Sequence, residues 1–236
     1  MAIPRIIHQT WKTATIPRKW RRIQKHNRSL HPDFEYRLWT DDEIDVFVKD
    51  KFPVIYPSFK GYQYNILRAD VIRYLLMHEM GGLYLDLDYE LLVPFDVTQA
   101  AVVLPKERSI AFGDPYDGIG NAFFASEPRH PFWRDVIEDL IHHPPHVKDE
   151  YQTAEVTGPG LLTRIYYSKP YPDIYVPERI LYHPPSPGSG KTYKAILKNG
   201  KSLGIHHGWG SWKERFTVKY MKRKALKILR SGEAKN

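Results

Sequence analysis

The chain has 236 residues, 42% hydrophobic and 26% charged, the balance of a soluble globular domain with enough length to bury a sizeable core. It contains no cysteine, which excludes disulfides and thiolate metal sites and is compatible with a reducing compartment. The net charge of +8 is unevenly placed: residues 213–236 hold nine Lys or Arg against Glu214 and Glu233, and the remainder is close to neutral.

Residues 3–8 read as a buried strand, entered at once from the N-terminus with no signal-peptide core. Pro17 opens a helix through Leu30, with Trp20, Ile23, Asn27 and Leu30 at helical spacing and a basic cluster of Arg18, Lys19, Arg21, Arg22, Lys25 and Arg28. Phe34 to Trp39 alternates as a strand, and Thr40-Asp41-Asp42-Glu43 starts a helix that ends near Phe52-Pro53. Ile66, Leu67, Val71, Tyr74 and Leu75 predict an amphipathic helix that ends at Gly81-Gly82. Val102 to Leu104 and Asn121 to Ala125 read as short strands. Pro131 opens a helix with Phe132, Trp133, Val136, Ile137, Leu140 and Ile141 inward, stopped by Pro144-Pro145. A further helix near Pro159 to Tyr167 leads into the proline-rich segment 170–190. Strands alternating with helices predict an α/β domain with a mostly parallel sheet.

After Gly82 a strand carries Asp86 and Asp88 two residues apart. Alternation puts Tyr84, Asp86 and Asp88 on one side and Leu83, Leu85 and Leu87 on the other. Two carboxylates so placed repel unless a cation lies between them, and oxygen ligation suits Mg²⁺ or Mn²⁺ with positions left open for a ligand's phosphates. In a parallel sheet they would stand at a strand's carboxyl end, where ligands bind. Asp70 and Arg73 are neighbours on the preceding helix. They read either as an ion pair or as a grip on sugar hydroxyls.

The series Arg68-Ala69-Asp70, Arg73-Tyr74, Gly81-Gly82, Tyr84 and Asp86-x-Asp88 resembles the sugar-binding region containing the DXD motif of glycosyltransferase family 32. It is also similar to the catalytic core of the large glucosylating bacterial toxins. The opening Ile3 to Trp11 matches that family's first strand, Trp39 lies where its second is expected, and the likeness returns in Thr157-Gly158-Pro159-Gly160 and His206 to Trp212. The resemblance implies a single GT-A-like, Rossmann-like domain over residues 1–212, followed by a basic C-terminal helix over 213–236.

What the resemblance implies for function is a metal-dependent, retaining transfer of sugar from a nucleotide-sugar donor, a UDP-sugar ahead of GDP-mannose, to a hydroxyl of a glycan or glycolipid. Asp88 would be the direct Mn²⁺ or Mg²⁺ ligand, and Asp86 would bridge the metal and the ribose or sugar. Within the family pattern a His-x-x-Gly supplies the third ligand. His207 fits that frame, and the adjacent His206 stays open. Asp70 and Arg73, with Arg68 and Tyr84 beside them, would hold the donor sugar. Thr10 and Trp11 would lie at the base, with Trp11 stacking on it, and Ser211 and Trp212 would ride on a loop over the diphosphate. No carboxylate nucleophile is placed, so front-face attack by the acceptor is expected. Asn121 with Asp114 or Asp117 would form the acceptor side. The alternatives are a toxin-like transferase acting on protein side chains and a non-catalytic protein that binds nucleotide-sugars or an anionic surface.

Other motifs carry less. Gly190-Lys191-Thr192 looks like the end of a P-loop, but Pro185 stands where the earlier glycine is required. His142, His143 and His146 sit among prolines at a helix end and read as surface histidines. No nucleic-acid module accompanies the basic clusters, so nucleic acid is not an expected partner. Val218, Met221, Ala225 and Ile228 form an apolar stripe in a basic tail. That stripe suits either packing on the domain or peripheral contact with an anionic membrane. No apolar run nears the ~20 residues that span a bilayer. The expected location is cytoplasmic, peripheral at a membrane, or that of a chain trimmed of its anchor.

Overall fold

The computed structural model describes residues 2–98, 100–107, 118–149, 152–184 and 190–210. The tail 213–236, Ser211, Trp212, Asp114 and Asp117 lie outside them.

In chain order the elements are β1 (Ile6–Thr10), α1 (Arg18–Leu30), β2 (Glu35–Trp39), α2 (Asp41–Lys51), α3 (Tyr56–Lys60), α4 (Asn65–Met80), β3 (Gly82–Leu85) and β4 (Tyr89–Leu91). They continue with β5 (Val102–Val103), β6 (Lys106–Glu107), β7 (Gly118–Ile119), β8 (Phe123–Ser126), α5 (Pro131–His142), α6 (Thr153–Val156) and α7 (Pro159–Ser168). The last are β9 (Ile174–Tyr175), α8 (Arg179–Tyr182), α9 (Gly190–Asn199) and β10 (Gly204–His206). Six strands form the central sheet in the order β2-β1-β3-β8-β5-β9. The pairs β1–β2, β1–β3 and β5–β9 are parallel, and β8 alone runs against its neighbours. The sheet is mostly parallel, as the alternation of elements predicts.

Strand alternation divides the core. Leu83, Leu85, Phe123, Ala125 and Val103 pack with Ile7, Leu91 and Tyr182 on one face. Tyr84, Phe124 and Val102 pack on the other, against α2, α3, α4, α5 and α7 through residues such as Val48, Phe59, Leu75, Trp133 and Leu161.

Helix α4 departs from expectation. Asp70 to Met77 are all buried, so every side of this stretch is covered, and it is not amphipathic. It lies between the sheet and the helices α2, α3 and α5, and its two charged residues must be satisfied inside the protein. Gly81 and Gly82, at φ of 64° and 93°, turn the chain from α4 into β3. A side-chain carbon would lie 2.6 Å from the Ser126 carbonyl at Gly81 and 2.7 Å from the Ile6 carbonyl at Gly82. Only glycine fits this turn.

Side chains tie the strand ends together. Buried His8 on β1 accepts from Trp39 Nε1 at 3.0 Å, and its Nε2 lies 3.0 Å from the Gly81 carbonyl. Asn27 of α1 donates to the Tyr89 carbonyl at 2.8 Å and accepts from the Leu91 amide at 3.0 Å, which fixes β4. Thr40 and Glu43 make a reciprocal capping box at the start of α2, as their spacing predicts.

Candidate functional site

The carboxyl ends of β1, β2 and β3 open on one side of the sheet, and the chain leaves β3 there through a tight turn. The Asp86 amide donates to the Ala122 carbonyl at 2.9 Å, and the Tyr89 amide donates to the Asp86 carbonyl at 2.8 Å. Asp86 therefore follows the last strand residue and Asp88 sits in the turn. Strand alternation was expected to align the two carboxylates. A β-turn gathers them instead.

β4 pairs antiparallel with β10, opposing Tyr89 to His206. His206 Nε2 lies 3.5 Å from Asp88 Oδ1 and 3.9 Å from Asp86 Oδ2. Ligand atoms of Asp86, Asp88 and His206 all fall within 4.8 Å of one another. His207 is not part of this cluster. The next residue along an extended chain faces the opposite way, and the His207 Nε2 meets Glu90 Oε2 at 2.8 Å, with Tyr193 donating to Oε1 of the same carboxylate at 2.9 Å. This corrects the expected placement of His207, and the open alternative, His206, is the one beside the aspartates.

The set fits a hard or borderline divalent cation: two carboxylates and one imidazole, with no sulfur. Glu107 adds a third acid, its Oε1 lying 3.8 Å from Nδ1 of His206. Burial disfavours a charged His206, yet Asp88 and Glu107 outweigh it and raise the imidazole to about 10. Burial likewise works to raise Asp88, but His206 and the Trp209 amide, which donates to Oδ2 at 2.6 Å, hold its carboxyl below the ordinary range. Concentrated negative charge of this kind attracts a cation in place of the imidazole's extra proton.

Behind the cluster lies a buried polar network. Arg73 Nη1 meets Asp86 Oδ1 at 3.0 Å, and Nη2 meets Asp70 Oδ1 at 3.3 Å. The Arg73 Nε donates to the Ala69 carbonyl at 3.0 Å, and its guanidinium stands 4.7 Å over the Tyr84 ring. Tyr84 donates to Asp86 at 3.0 Å, and Thr10 lies 3.3 Å from the Tyr84 hydroxyl. Asp70 accepts from Asn121 at 3.0 Å and from Thr157 at 2.9 Å. Burial pushes the Asp70 carboxyl up to about 6, against the pull of Arg73 and Thr157. Thr10, Asp70, Arg73, Tyr84 and Asp86 thus form one connected unit. Arg68 does not join it. Its guanidinium points to Asp45 at 3.3 Å and lies over Phe59.

An aromatic wall flanks the turn. The Trp11 ring stands 5.5 Å from Trp20, and Trp20 stands 5.4 Å from Trp209. Lys19 caps Trp209 at 3.5 Å. Sequence reading singled out Trp11 but gave no site role to Trp20, Trp209 or Glu107, which lie on separate elements with no shared local pattern.

The carboxylate–imidazole cluster at the open ends of parallel strands, walled by tryptophans, defines a GT-A-like α/β protein. Residues 17–109 match the family described as glycosyltransferase sugar-binding region containing DXD motif. It is 36% identical over 165 residues to mannosyl phosphorylinositol ceramide synthase CSH1 of Saccharomyces cerevisiae, covering 70% of this chain and 42% of the relative. It is 40% identical over 138 residues to inositol phosphoceramide mannosyltransferase 2 of Schizosaccharomyces pombe, covering 58% of this chain and 38% of the relative. The chain thus spans less than half the length of these curated relatives. Among solved structures, PaToxG Glycosyltransferase shares the fold, with a TM-score of 0.52 and 17% identity over 70% of this chain and 69% of that one.

Proposed function

We propose that this chain transfers a sugar from a nucleotide-sugar donor to a hydroxyl of a glycolipid or glycan, with a divalent cation and retention at the anomeric carbon. The observation that carries this reading is the Asp86–Asp88–His206 cluster, with ligand atoms within 4.8 Å of one another, in the DXD region of a glycosyltransferase family. The relatives' names turn the choice of sugar toward mannose and the acceptor toward an inositol phosphoceramide. GDP-mannose therefore moves ahead of the UDP-sugars, which came first on sequence alone.

Asp86, Asp88 and His206 would hold Mn²⁺ or Mg²⁺, which when bound neutralises negative charge developing on the departing diphosphate. The chain's own residues do the rest. Arg73 and Tyr84 fix the Asp86 carboxylate, Asp70 and the Asn121 carbonyl hold Arg73 from behind, and Thr157 holds Asp70, so the cluster is preorganised. The tryptophan wall offers apolar faces for the nucleotide base, with Trp11 nearest the end of β1. Asp70 and Arg73 border the space for the donor sugar, although most of their hydrogen-bonding capacity is spent inside the protein. Ser211 and Trp212 are proposed to close over the diphosphate and exclude water.

The test is turnover. With Mn²⁺, GDP-mannose or a UDP-sugar should be hydrolysed slowly and used faster with a hydroxyl acceptor. Asp88→Asn should abolish both activities while the circular dichroism spectrum stays native. Activity that survives exhaustive chelation, or survives Asp88→Asn, would overturn the metal-assisted reading.

A further inference from the structure

Helices α1 and α9 together carry nine Lys or Arg and no acidic residue. On α1, Arg18, Arg22 and Lys25 recur at i, i+4 and i+7 and centre the solvent face, with exposed Arg21 and Arg28 alongside. Ile23 and Asn27 hold the opposite side against the domain. On α9, exposed Lys191, Lys194 and Lys198 surround Leu197, which is 46% exposed. Helix α1 packs on β4, where Asn27 donates to the Tyr89 carbonyl, and Tyr193 of α9 donates to Glu90 on the same strand, so the two helices flank β4 and border one surface. Among the described residues, none of these eight exposed side chains pairs with an acid; Arg21 donates to the Ile16 carbonyl and Arg28 lies over Tyr36. The body of the protein is nearly neutral, so this face is strongly one-signed.

We propose that this surface of α1 and α9 docks on an anionic phospholipid bilayer. Clustered Lys and Arg with a protruding aliphatic residue suit the headgroup boundary, where charge attracts and Leu197 inserts. Single-stranded nucleic acid would need aromatic platforms for its bases. Here Trp20 turns inward to Trp11 and Trp209, and Tyr193 turns to His207. Tyr193 and His207 share the Glu90 carboxylate, which sets this face across the β4–β10 pair from His206 and the two aspartates. Docking would bring that cluster to the membrane interface. The inference does not depend on the sugar chemistry and can fail or hold without it.

The experiment is co-sedimentation of the full chain with phosphatidylcholine vesicles, with and without phosphatidylserine, at low and high salt. The wild type should sediment only with the anionic vesicles and should release as salt rises. The triple variant Arg22→Gln, Lys25→Gln, Lys194→Gln changes exposed positions only and should keep the wild-type melting temperature. Its partitioning should fall on the order of 100-fold, about fivefold for each charge removed. The control Lys49→Gln, Lys51→Gln on α2 should bind as wild type. Three results would overturn the proposal: no wild-type binding to anionic vesicles, undiminished binding by the triple variant, or tighter binding of an oligonucleotide at the same salt.

Discussion

His206 faces Asp86 and Asp88 through Nε2 and Glu107 through Nδ1, while His207 is spent on Glu90. The two neighbours should therefore respond differently to the same substitution. By titration calorimetry or Mn²⁺ electron paramagnetic resonance, His206→Ala should lose most of the cation affinity and His207→Ala little. Glu107 would be a positioning residue in the proposed site, where a carboxylate on the outer nitrogen of a metal-bound histidine typically contributes roughly 10–100-fold in affinity. Glu107→Gln should weaken Mn²⁺ binding by that order, and equal affinities across all three variants would remove His206 from the site. The aspartates were legible in the sequence because two acids so close, after a helix and a glycine pair, form a contiguous pattern. The choice of histidine was not legible. His207 satisfies a four-residue spacing rule, whereas the register of β10 on β4 decides which imidazole turns inward, and register depends on a partner more than a hundred residues away. Glu107 was invisible for the same reason.

At the scale of elements, β1 shows how a buried polar residue sets a strand in place. His8 is fully buried and neutral, bonded on one side to Trp39 of β2 and on the other to the end of α4. Burial, reinforced by Arg37 and only partly opposed by the Gly81 carbonyl, lowers its pKa from 6.5 to about 4. A folded-state pKa below the unfolded one means that the unfolded chain binds the proton first. The stability linked to His8 is then fully present above pH 6.5 and is lost as pH falls toward 4, to a total of about 3 kcal/mol. His8→Gln can still accept from Trp39 and donate to Gly81, yet it does not titrate. Urea denaturation at successive pH values should show a shallower loss of stability in the variant between pH 6.5 and 4, and parallel curves would mean that His8 is not the titrating group. Strands β1, β2, β3, β5 and β8 and helices α1, α2, α4, α5 and α7 were readable from alternation and from Pro and Gly punctuation, whereas the short β4, β6, β7, β9, β10, α3, α6 and α8, and also α9, were not. α4 was misread as amphipathic because only part of its apolar pattern was weighed; Ile72, Leu76 and Met77 close the remaining sides against the surrounding helices and sheet.

Over the whole molecule the site draws on residues near positions 10, 70–73, 84–90, 107, 121, 157 and 206–209, so it exists only when the sheet and both of its flanking layers are assembled. A ligand that needs this assembly binds the native state and not the unfolded chain, and its binding free energy adds directly to stability. Asp86, Asp88 and Glu107 gather around one imidazole, and the unfolded chain disperses those acids. Mn²⁺ at about 100 times its dissociation constant should stabilise the fold by about 2.7 kcal/mol. For a chain of this length that raises the melting temperature by about 5–10 °C. On the proposed reading, adding GDP or GDP-mannose should raise it further only when Mn²⁺ is present, because phosphate oxygens suit such a cation. EDTA should reverse both shifts. Asp88→Asn should melt cooperatively but show neither shift, which separates a lost ligand from a lost fold. Scanning fluorimetry of the wild type and Asp88→Asn with Mn²⁺, Mg²⁺ and Ca²⁺ makes the comparison, and equal shifts in the two proteins would place the cation somewhere other than the turn between β3 and β4.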